Sequence, residues 1–119
     1  MKRLLIMLVA AAMLTGCGKE YKSKRAVKAF LSENLTSDDY SRKFRGFDST
    51  INVTPSAINR MHADADKMSQ FKKGIQYAPT DNRRAMMFQK VQLKSKTDTL
   101  QLTFYLDNEG GNVVAFKQN

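Results

Sequence analysis

Apolar positions along the chain fall into three successive patterns. Leu4 to Leu14, "LLIMLVAAAML", is an unbroken run of eleven apolar residues. From Tyr21 to Leu35 the pattern becomes helical: Val27, Phe30, Leu31 and Leu35 recur at i, i+3, i+4 and i+8, with basic residues on the other side. "NLTSDDYS" interrupts it with turn formers. In "KFRGFDSTINV", Phe47, Ile51 and Val53 share one parity and Phe44 lies across Gly46 from them, as in a bulged strand. "TPSAINRMHADADKMSQFKKG" predicts a second helix, capped by Thr54, opened by Pro55 and stopped at Gly74. Its buried stripe is Ile58, Met61, Ala65 and Met68, with Phe71 at the edge. After "APTDNR" the period falls to two. Met87, Val91 and Leu93 share one face of "MMFQKVQLK", and Leu100, Leu102, Phe104 and Leu106 share one face of "TLQLTFYL". With "SKTD" and "DNEGG" as turns and "NVVAFK" as the last run, the C-terminal half is an antiparallel meander.

The expected order is therefore α-β-α-β-β-β in an α+β fold, with two helices packed on one face of a curved antiparallel sheet. This order, and the ending "FYLDNEGGNVVAFK", resembles the cystatin-like and ketosteroid-isomerase-like group of small exported domains. In that group helices lie in the hollow of a curled sheet. The chain departs from its fuller members in having one helix fewer and a shorter sheet, so the resemblance does not extend to an enclosed ligand cavity. It also differs from the small lipoprotein of the outer-membrane barrel-assembly machinery, which has a Gly-Met-Thr helix opening and no strand between its helices.

The first run has its own meaning. Lys2 and Arg3 precede it, and it is too short to span a membrane, which takes about 20 apolar residues. It ends in Leu14-Thr15-Gly16-Cys17, which resembles the lipobox of bacterial lipoproteins. The resemblance implies cleavage between Gly16 and Cys17 and lipid on the Cys17 sulfur. Two or three acyl chains make a durable anchor where one does not. The expected organisation is a signal peptide at 1–16, a lipidated N-terminus and tether at 17–22, and one domain at 23–119. Gly18 stands where an Asp would resemble an inner-membrane retention signal, which favours the outer membrane.

Composition then narrows the class. Removing the signal leaves 103 residues, one small domain, with no cysteine free to pair. The signal holds two of the twenty basic residues and none of the eleven acidic ones, so the mature charge is +7. In an exported protein that charge points to envelope polyanions rather than nucleic acid.

Catalytic chemistry finds little support. In "HADAD", His62 and Asp66 can share a helix face but Asp64 cannot, and there is no second histidine, so no metal and no cofactor are expected. Asp38-Asp39 is the one adjacent acid pair, and such pairs in turns usually cap the next element. No serine sits in a nucleophile elbow and no glycine-rich phosphate loop is present. The protein is expected not to be an enzyme. Phe88 and Tyr105 point away from their strands' apolar faces, and with Lys90 and Lys94 they form a candidate binding surface. Asp48-Ser49-Thr50 and Asp98-Thr99-Leu100 resemble the acceptor pattern of general O-glycosylation in some Gram-negative envelopes, which implies Ser49 and Thr99 as acceptors. The leading expectation is a lipid-anchored interaction protein of a Gram-negative envelope, held to the membrane by its lipid and binding an envelope protein, a glycan or anionic lipid. The alternatives are a small-molecule or glycan pocket and a purely structural lipoprotein.

Overall fold

The computed structural model describes residues 18–51, 53–79 and 85–119. Two helices and a four-stranded antiparallel sheet follow the order α-β-α-β-β-β: α1 Gly18–Asn34, β1 Ser41–Thr50, α2 Pro55–Asp66, β2 Met86–Lys94, β3 Thr99–Leu106 and β4 Val113–Gln118. The strands lie side by side in chain order, β1-β2-β3-β4. No described helix is long and apolar enough to cross a membrane.

Period-two alternation in β3 builds the core directly, since alternate residues of a strand face opposite sides. Leu100, Leu102, Phe104 and Leu106 are buried, as are their neighbours Val91 and Leu93 on β2. Against this face α1 sets Val27, Phe30, Leu31 and, just past its end, Leu35. Each such side chain contributes roughly 1.5–3 kcal/mol on burial. At the centre the Phe104 and Phe116 rings stack at 5.2 Å, and Phe30 meets both edge-on at 5.7 and 5.6 Å.

One position on the apolar face of β2 is polar. Gln89 is buried, and its amide is used at both ends: Oε1 accepts from the Ser23 hydroxyl of α1 at 3.0 Å, and Nε2 donates to the Gly46 carbonyl of β1 at 2.9 Å. Gly46 follows a bulge, the ladder slipping between Phe44 and Gly46 so that Arg45 is the extra residue. The bulge that Phe44 and Gly46 suggest in the sequence is therefore present, and Gln89 ties it to α1. A buried amide left without these partners would lose about 1–3 kcal/mol, so the network fixes register as well as adding stability.

Three boundaries differ from the sequence reading. Helix α1 takes in residues 18–22, where the sequence predicts a tether, and both Gly18 and Ser23 are buried in it. Ile51 lies beyond β1 and is 67% exposed, while Val53 packs with α2. Helix α2 has the expected Thr54 cap, whose side chain accepts from the Ala57 amide at 3.1 Å, but it ends at Asp66 rather than near Gly74. The acids Asp64 and Asp66 at its C-terminal end oppose the helix dipole. The chain leaves the helix in tight turns, and Phe71 enters the main core and bridges to Leu35.

Helix α2 lies against β4. Ala65 reaches the main core, whereas Ile58 and Met61 form a second cluster with Met86, Val114 and Ala115. The first two residues of β4 find partners outside the sheet in this arrangement. Ala78 N–H donates to the Val113 carbonyl at 2.9 Å and His62 Nε2–H donates to the Val114 carbonyl at 2.7 Å. Val114 is the extra residue of a second bulge, opposite the step from Tyr105 to Leu106.

Candidate binding surface

The sheet face away from α1 carries the side chains that alternate with the core set. Here Phe88 of β2 stands directly opposite Tyr105 of β3, and Lys90 opposite Thr103. Lys90 Nζ lies 5.9 Å from the Phe88 ring centre, and Lys117 Nζ of β4 lies 6.0 Å from that of Tyr105. Two half-buried aromatic rings, each with an ammonium beside it, thus line a shallow groove of about 250 Å³ with Thr50, Thr103 and Asn119. The Thr103 hydroxyl donates to Asn119 Oδ1 at 2.7 Å, which holds the chain end at one side of the groove. An exposed cation–π contact is worth about 0.5–1 kcal/mol, so either lysine can swing to an incoming anion at small cost.

Of the four surface residues read from the sequence, the fold brings Phe88, Lys90 and Tyr105 together. Lys94 shares their face but pairs with Thr99 at the far end of the ladder, outside the groove. Lys117 was missed. Its signal was faint: it alternates with Ala115, which pairs with Tyr105, but that pairing depends on the bulge at Val114.

The other sequence candidates have local partners. His62 stacks on Tyr77 with ring centres 3.8 Å apart, and its bond to the Val114 carbonyl requires the proton on Nε2. The same pair lines a cleft of about 390 Å³ with Ile58, Asn59, Ala78, Pro79 and Val114. Asp64 and Asp66 are exposed, and among the described residues no three His, Cys, Asp or Glu side chains group as metal ligands. Asp38 and Asp39 are exposed in the loop before β1. Ser49 and Thr99 are both exposed, Ser49 near the end of β1 and Thr99 at the start of β3. Cys17 and the Gly16 cleavage position lie outside the described residues.

Three ionisable groups are displaced. Hydrogen bonds from Gln70 at 3.0 Å and from the Tyr40 hydroxyl at 3.1 Å hold the Asp98 carboxyl below its ordinary range. Tyr40 is pushed up by burial and by that same carboxylate. Burial, and after it the Asp66 charge, pushes Tyr77 up to about 12, and its hydroxyl has no hydrogen-bond partner among the described residues. A raised tyrosine favours the fold while the phenol is protonated. Its contribution is complete below the unfolded value near 10 and is lost as pH climbs toward 12. Urea midpoints measured between pH 9 and 12 should therefore fall less steeply for Tyr77→Phe than for the wild type. Parallel curves would mean that the phenol ionises in the fold as easily as outside it.

No family model, curated protein sequence or solved structure matches the chain.

Proposed function

We propose that this is a lipid-anchored binding protein of a Gram-negative envelope, at the outer membrane, that holds an acidic glycan on the face of its sheet away from α1. The observation that carries the reading is the pairing of Phe88 with Tyr105 under Lys90 and Lys117. Flat rings accept the apolar faces of sugars, ammonium groups meet carboxylate or phosphate substituents, and an open groove of about 250 Å³ suits a chain lying across it better than an enclosed small molecule. The mature charge of +7 and the lipobox-like Leu14-Thr15-Gly16-Cys17 support the envelope setting.

Calorimetric titration of the full chain in detergent micelles tests this, with uronate-bearing or phosphorylated oligosaccharides and their neutral counterparts as probes. Acidic probes should bind and neutral ones should not. Tyr105→Ala should weaken binding by about tenfold or more, and Lys90→Gln with Lys117→Gln should weaken it and flatten its salt dependence. Equal affinity for the neutral probes, or binding indifferent to all three substitutions, would sink the proposal. A second reading, a small-molecule pocket, has the His62 and Tyr77 cleft in its favour, because the buried Tyr77 hydroxyl could accept a ligand's donor.

A further inference from the structure

The two edges of the sheet are treated differently. At the start of β4 the Val113 and Val114 carbonyls are taken up by Ala78 and His62, whereas no other described strand or helix runs along the outer side of β1. Strand β1 is also the longest of the four, at ten residues. Free edges of that length pair with other strands unless something prevents it, and charge and bulges are the usual deterrents. Arg42, Lys43, Arg45 and the bulge at Arg45 are deterrents of this kind against a general strand.

Two of these features, Lys43 and the bulge, can also find their complement in a second copy of the strand. We infer that β1 pairs antiparallel with β1 of a second copy, about a two-fold axis between Arg45 and Gly46, the midpoint of the strand. In that register Lys43 stands opposite the partner copy's Asp48, and Phe44 opposite its Phe47. The faces agree, and the bulge is the reason. Lys43 pairs with Gln92 and Asp48 with Phe88, which puts both on the open face, although five positions apart they would lie on opposite faces of a regular strand. Phe44 pairs with Val91 and Phe47 with Gln89, which puts both on the α1 face. Arg45 meets Gly46, around whose Cβ position there is open space. Phe44 and Phe47 are each only half-buried in the single copy, so pairing removes apolar surface from water on one face and joins opposite charges on the other. By symmetry each contact occurs twice. The product is a continuous eight-stranded sheet.

Oxidative crosslinking in intact cells tests the register. Two differently tagged full-length copies are coexpressed, one carrying Lys43→Cys and the other Asp48→Cys, with either variant alone and the wild type, which retains Cys17, as controls. The mixed pair should give a disulfide-linked dimer carrying both tags; either variant alone should give several-fold less, because a residue is not opposite itself in this register. In detergent, sedimentation should show self-association weakened by about tenfold in Lys43→Asp, since like charges then oppose each other twice, and recovered in the double variant Lys43→Asp with Asp48→Lys. No mixed dimer, equal crosslinking of the single variants, or an adduct with a different protein at both positions would each overturn the inference. Because none of these readouts involves Tyr105 or a glycan, they can fail or succeed independently of the proposed ligand.

Discussion

Phe116→Ala should lower the unfolding free energy by about 3–5 kcal/mol, the range for deleting a buried aromatic ring. The ring is 1% exposed and lies 4.5 Å from Phe71, 5.2 Å from Phe104 and 5.6 Å from Phe30 between ring centres. Those three partners come from the segment after α2, from β3 and from α1. Closing the void would therefore require three separately anchored elements to move at once, which places the change toward the costly end. A domain of this size has about 5–15 kcal/mol in all, so a third or more of its stability is at stake. Urea denaturation followed by circular dichroism gives the number, with Phe116→Leu as a milder companion. A loss below about 1.5 kcal/mol for the alanine variant would mean that the aromatic cluster is not the centre of the fold.

Gly110→Ala should cost about 2 kcal/mol, and here two causes coincide. Gly110 adopts φ +77°, a conformation that costs L residues roughly 1–2 kcal/mol. Its Cβ would also lie 2.9 Å from the Lys19 carbonyl oxygen in the first turn of α1, and that obstacle is backbone, which cannot rotate aside. The neighbouring Gly111 has open space and an ordinary φ, so Gly111→Ala should change stability by less than about 0.5 kcal/mol. Thermal melts of the two variants side by side decide the matter. In Gly110→Ala, amide exchange should also quicken in the first turns of α1 and not at its C-terminal end. Equal effects at the two glycines would remove the contact between the turn and the helix from the account.

Elements whose pattern arises within one stretch of chain were legible in the sequence. Leu100 to Leu106 alternate, and alternation alone sets a face, so β3 and the core it carries could be read without knowing any partner. Val27 to Leu35 gave α1 in the same way. The bulge in β1 was legible because Phe44 and Phe47 change parity across a glycine. What escaped depends on residues distant in the chain. Phe71 looked like the edge of a continuing helix, and only the pull of the core and the bridge to Leu35 end α2 five residues earlier. Gln89 falls on the apolar face of β2 without a local reason, since its partner Ser23 lies 66 residues away. In the candidate groove, Phe88, Lys90 and Tyr105 follow from strand parity, whereas Lys117 enters only through the register of β4, displaced by Val114. His62 invited a ligand reading because a carbonyl 52 residues on cannot be seen from "HADAD".

The contact between Gly110 and Lys19 also bears on how freely the molecule could move at a surface. The described helix α1 starts at Gly18, so under the proposed lipidation of Cys17 the lipid-bearing residue would directly precede folded structure in the chain. The turn after β3 is braced on that same first turn. An anchored molecule would behave as a post set in the bilayer rather than a float on a line. Its reach would be that of its own strands, about 27 Å for the eight residues of β3, with the Ser95 to Asp98 turn at the opposite end of that strand. Partners would meet it at a narrow range of heights and tilts, a restriction that favours large or surface-bound partners over small diffusing ones.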